Sequence, residues 1–146
     1  MKQMQRYVIL IRLIELLREG RCWCGETRIQ KAAFFLQEMA GCPTGFDFIM
    51  HKHAPFSFDL SDELAAMQAC GMVSLQMEDP DYGPSIVPTL EAEKLCEQSL
   101  NTPQDNRIAF VANLLSGKSV VELEWLATAF FRIRVTASAA APALPE

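Results

Sequence analysis

Residues 57–87 read SFDLSDELAAMQACGMVSLQMEDPDYGPSIV, and the change of period inside this stretch decides the fold class. Leu60, Leu64 and Met67 recur at helical spacing from about Phe58 to Cys70. Ser57 or Asp59 serves as cap, and Asp62 and Glu63 sit near the positive end of the helix. Gly71 stops the helix. Val73, Leu75 and Met77 then alternate with Ser74, Gln76 and Glu78, the pattern of a strand with one buried face. The turn Asp79, Pro80, Asp81, Tyr82, Gly83 brings the chain back into Ser85–Val87, which makes a hairpin.

Upstream, Met4–Glu19 carries Tyr7, Ile11, Ile14 and Leu17 at helical spacing, widened by Val8, Leu10, Leu13 and Leu16 into a helix covered on more than one side. A second helix runs from about Glu26 to Ala40, with Ile29, Ala32, Ala33, Leu36 and Ala40 inward. Arg28 and Lys31 share another face. Phe46, Phe48 and Met50 alternate with Asp47, Ile49 and His51 as a short strand. Downstream, Thr89 caps a fourth helix. Thr102 and Pro103 open a fifth, with Ile108, Val111, Ala112 and Leu115 inward. Ser119 and Glu122 form the capping box of a sixth, whose buried stripe is Leu123, Leu126, Ala127 and Phe130. The expectation is a mainly α chain with a small β-hairpin (α+β): a winged-helix-like core plus C-terminal helices, one domain over 1–136. Residues 137–146, rich in Ala and Pro, are expected to lack structure.

The 146 residues are half hydrophobic, enough to bury one core, and the net charge is −5. Tyr7–Leu17 is interrupted by Arg12 and Glu15 and is too short to span a bilayer. Arg18, Glu19 and Arg21 stand where a signal peptide would need small residues, so a cytoplasmic protein is expected. Five cysteines without a CxxC pair suit reduced thiols.

Charge distribution bears on function. Residues 1–52 hold eight basic and five acidic side chains, residues 53–106 one basic and ten acidic, and residues 107–146 four basic and three acidic. The helix that a winged helix would place in the major groove carries Asp59, Asp62 and Glu63 and no cation, so phosphate would be repelled there. Nucleic acid, if bound, would have to use Arg28, Lys31 and Lys52, with Arg18 and Arg21. A solvated basic face is the commoner meaning of such residues. His51 and His53 with Cys22, Cys24 and Cys42 fit no zinc spacing, so no metal or other cofactor is expected. The chain lacks GxSxG, HExxH, a P-loop and GxGxxG. A Cys42 nucleophile with His51 or His53 as base has no spacing to support it, and an enzyme is not expected.

Four segments together resemble the SocA-like antitoxin group (the Panacea domain) and the related YwgA-type bacterial proteins. They are Thr27–Lys31 before Phe34, Phe35 and Leu36; His53–Ser57 with Leu60; Gly71, Met72 and Val73; and Leu123, Glu124, Leu126, Ala127 and Thr128. The family's second block has an aromatic, Gly, Pro, an aromatic and Ser, where this chain has His53, Ala54, Pro55, Phe56 and Ser57. The resemblance implies a cytoplasmic module that binds a protein partner, in several relatives a toxin encoded alongside. It marks Arg28, Gln30, Lys31, Lys52, His53 and Phe56 as a candidate partner surface, with Phe56 equally placed to be core and Pro55 and Ser57 shaping the turn. The charge pattern adds Asp59 and Asp62, which would steer a basic partner. The expected function is therefore a non-enzymatic protein-interaction module of antitoxin or adaptor type. The alternative is a winged-helix DNA-binding regulator, with a homodimer interface in the last helix, where Trp125, Phe130 and Phe131 exceed what one face can bury.

Overall fold

The computed structural model describes residues 2–20, 23–77, 81 and 83–140. Arg21, Cys22, Glu78, Asp79, Pro80, Tyr82 and residues 141–146, named in the expectations above, lie outside the described residues. Among those described, six helices and four short strands form a mostly helical α+β chain, as the periodicity predicts.

Helix α1 (Gln3–Glu19) is the centre of the core. A helix turns about 100° per residue, so the complete burial of the consecutive Ile9, Leu10 and Ile11 requires cover all around. Helix α2 (Glu26–Glu38), α4 (Leu90–Ser99), α5 (Thr102–Leu115) and strand β4 (Ser85–Pro88) supply it. Helix α2 is buried without interruption from Arg28 to Leu36.

Strand β1 (Ile49–His51) pairs antiparallel with β2 (Ala54–Phe56), with Ile49 opposite Phe56 and His51 opposite Ala54. The two-residue loop is Lys52–His53, and Lys52 takes the positive φ of 59° that such a loop needs at its first position. Sequence alternation places Phe46 and Phe48 inward correctly, but Met50, the third residue of that set, is exposed, and one strand is predicted where the chain forms a separate hairpin. Helix α3 (Phe58–Ala69) follows, capped by the Ser57 hydroxyl, which accepts from the Leu60 amide. Its end at Gly71 (φ 79°) is closed by the Met72 amide bonding the Met67 carbonyl at 2.8 Å.

Strand β3 (Val73–Gln76) pairs only with β4. Two independent two-stranded sheets therefore replace the single three-stranded sheet of a winged helix, and the likeness ends at element order. Of the face expected to be buried, Val73 is inside while Leu75 and Met77 are exposed. Thr89 caps α4 as predicted. The cap of α5 is Asn101, one residue before the expected Thr102, and its side chain accepts from the Gln104 amide at 2.9 Å.

Helix α6 (Val120–Ala140) opens with the predicted box, Ser119 Oγ accepting from the Glu122 amide at 3.1 Å. It runs to Ala140, into the stretch expected to lack structure, because Ala is the strongest helix former and the first proline beyond Ala137 is Pro142. Leu123 and Ala127 are buried and Phe130 packs on the core, but Leu126 points outward. No described helix is long and apolar enough to cross a membrane.

Candidate functional site

Three polar residues of α2 assigned by sequence to a surface are internal: Arg28, Gln30 and Lys31 are 5%, 0% and 4% exposed. The expectation of a solvent-facing basic patch is corrected here, for the physical reason that each head group is satisfied by main chain from another segment. Gln30 Nε2 donates to the Ser57 carbonyl at 2.9 Å, and its Oε1 accepts from the Ser57 amide at 3.0 Å, so one side chain closes both ends of one residue. Lys31 Nζ donates to the Pro55 carbonyl at 2.7 Å and lies 6.0 Å from the centre of the Phe56 ring. Burial pushes its pKa down, opposed by the field of Glu124. Arg28 Nε donates to the Trp23 carbonyl and a terminal nitrogen to the Lys118 carbonyl, both at 2.9 Å.

The Gln30 and Lys31 bonds hold β2 and the start of α3 from beneath. Above them lies an exposed surface that includes five of the candidate residues. The rings of His51, Phe56 and Phe58 stand with centroids 5.1–5.4 Å apart. Phe56 is half-buried, between its two expected states, and Phe58 is half-exposed beside the exposed Ile49 and Met50. Lys52 and His53 form the exposed loop, whose His53 carbonyl accepts from Thr128 Oγ1 of α6 at 2.8 Å. Asp59 and Asp62 are exposed on α3. With Glu63, Gln3, Arg6 and Phe46 they line a groove of about 490 Å³. One of its edges is the Arg6–Glu63 ion pair at 3.3 Å. Ile49, Met50 and Phe58 were not singled out by sequence. Pro55 inside a strand was the available signal, since proline confines a strand to a sheet edge.

A second cleft, of about 290 Å³, lies where α1, α4 and α5 meet. Arg12 bridges Asp105 at 2.8 Å and Glu15 at 3.2 Å, while Glu15 Oε1 is buried without a hydrogen-bond partner. Burial raises the pKa of Glu15 despite Arg12. Cys96 is buried beside this group, donates to the Val8 carbonyl at 3.6 Å, and has its thiol pushed up to about 11 by burial and the nearby carboxylates. Burial also raises the pKa of Cys42. Both are protonated thiols at neutral pH, the opposite of an activated nucleophile. Cys42, Cys70 and Cys96 are free thiols, and no group of three or more described His, Cys, Asp or Glu side chains could hold a metal. Cys22 lies outside the described residues.

No protein-family profile matches the chain, and no curated protein matches it.

Replacing Gln30 with Ala leaves the buried Ser57 amide unpaired and its carbonyl with only the Ser61 amide, and with the space the side chain vacates this costs about 2–4 kcal/mol. Urea unfolding should show this loss, and a loss below about 0.5 kcal/mol, typical of a surface substitution, would remove the clamp from the account. Cys96 gives a pH signature. Below pH 9, its ordinary thiol value, folded and unfolded states both hold the proton and its contribution is complete; between 9 and about 11 the unfolded state ionises first and the contribution is lost. The stability difference between wild type and Cys96→Ala should therefore shrink across that window, as read from unfolding curves at stepped pH.

Proposed function

We propose that the chain is a non-enzymatic protein-interaction module of antitoxin or adaptor type, acting in the cytoplasm and using no cofactor. The partner docks on the surface formed by Ile49, Met50, Phe58, Lys52 and His53, and a basic segment of it enters the groove edged by Asp59 and Asp62. The carrying observation is the aromatic cluster of the exposed Phe58 with the half-buried His51 and Phe56, on a support fixed by Gln30 and Lys31. A rigid aromatic anchor with an acidic flank is suited to a partner that carries both apolar residues and Lys or Arg. A toxin that acts on nucleic acid is one such partner, because phosphate binding requires cations. In this reading Gln30 and Lys31 position the surface, Arg28 ties the α1–α2 connection to the α5–α6 turn, and none of the three touches the partner. The DNA-binding alternative loses Arg28 and Lys31, two of the cations it needed, because both are buried.

The test is affinity purification of the tagged chain from its own cells, with and without nuclease, alongside a Phe58→Asp variant. The expected result is one near-stoichiometric protein that survives nuclease and falls more than about tenfold with Phe58→Asp, the loss of a single anchor. Recovery of nucleic acid alone would overturn the proposal in favour of the DNA-binding regulator. With the partner in hand, reversing Asp59 and Asp62 to Lys should slow association by about tenfold or more at low salt. An unchanged, salt-insensitive rate would remove the electrostatic part.

A further inference from the structure

Helix α6 leaves one face uncovered. Val121, Trp125, Leu126, Ile133 and Val135 are exposed large apolar side chains, with Trp125 at 72% and Ile133 at 66%. The aromatic residues that sequence assigned to a dimer contact together with Trp125 divide differently in the fold. Phe130 and Phe131 are partly buried against Phe34, with ring centroids 6.0 and 6.2 Å from it, so they belong to the core. What remains outside has its own pattern. At about 100° per residue, side chains seven apart fall within about 20° of each other. Trp125 therefore lines up with Arg132 on one side of the free face, and Leu126 with Ile133 on the other. Ala129, small and exposed, stands midway between both pairs.

This arrangement is self-complementary. A two-fold axis at Ala129 lays a second α6 antiparallel to the first. Trp125 of each copy then meets Arg132 of the other, and Leu126 meets Ile133. A guanidinium over an indole face is a favourable contact, and the small residue at the crossing lets the helices approach. Charge selects the same direction: on this face Glu122 lies in the first turn of α6 and Arg132 toward its other end, so an antiparallel pair brings the acidic end of one copy to the basic end of the other while a parallel pair sets like beside like. Arg134 is engaged with Glu38 of its own chain at 3.5 Å, whereas Arg132 makes no ion pair among the described residues.

We propose that this face of α6 is a homodimerisation surface, taken by a second copy of the chain running antiparallel about Ala129. It shares no residue with the partner-docking surface proposed above and stands or falls separately.

Sedimentation equilibrium on the full chain over a range of micromolar concentrations tests it. The wild type should sediment with the mass of two chains. Because one substitution enters a two-fold interface twice, Ile133→Asp should raise the dissociation constant by more than about 100-fold, and Arg132→Glu by about tenfold or more. Phe110→Asp, on the exposed part of α5, should leave it unchanged. All three residues are exposed, so circular dichroism and melting should match wild type and exclude misfolding as the cause. A wild type that stays monomeric throughout, a dimer that survives Ile133→Asp, or one equally broken by Phe110→Asp would overturn the proposal. Retention of the partner by the monomeric Ile133→Asp variant would separate the two surfaces.

Discussion

A helix buried along nine consecutive residues cannot carry Arg28, Gln30 and Lys31 unless each polar head finds a partner inside the protein, and the placement of the surrounding segments follows from that constraint. The partners are the carbonyls of Trp23, Pro55 and Lys118 and the amide of Ser57, together with the Ser57 carbonyl, which also accepts the first bond of α3 from the Ser61 amide. Satisfying them ties the α1–α2 connection, the β2–α3 junction and the α5–α6 turn to one helix. A cation buried this way is stabilising only while its acceptors stay in place, so the same bonds that hold the junction also depend on it. The exposed aromatic surface inherits its rigidity from this arrangement.

Helix positions were legible because their signals are local. The alternation of Leu60, Leu64 and Met67, the glycine stop at Gly71 and the Ser119–Glu122 box all act within a few residues and all form. The inward residues of α5 follow from its period alone. What sequence could not resolve depends on segments far along the chain. Arg28 and Lys31 three apart read as a solvated or a binding face, and the Pro55 carbonyl, 24 residues from Lys31, makes Lys31 a buried anchor instead. The β1–β2 hairpin was hidden because its loop is Lys52–His53, without the Asn-Gly or Asp-Gly signal, and because Pro55 argues against a strand. Leu126 and Leu75 sit at the right spacing for burial but lack an element to cover them. Spacing identifies a face and cannot say whether another element packs against it.

The surface thus divides into regions of different character. One, at β1–β2 and the start of α3, is aromatic and flanked by Asp59 and Asp62; another, on α6, is apolar with acid at one end and base at the other. The Thr128–His53 bond joins the two elements, so the aromatic surface rests on α6 as well as on α2. Of the acidic residues in 53–106, Asp59, Asp62 and Glu63 lie in the first of these regions, where they favour a cationic partner and disfavour phosphate.

The central claim is that the β2–α3 junction is part of the core and not a surface loop. Amide hydrogen exchange at Ser57 tests it most directly. The account predicts that this amide, held by Gln30 Oε1 in a fully buried place, exchanges only through an opening nearly as costly as global unfolding. Exchange of the Ser57 amide as fast as that of the Lys52–His53 loop would contradict it.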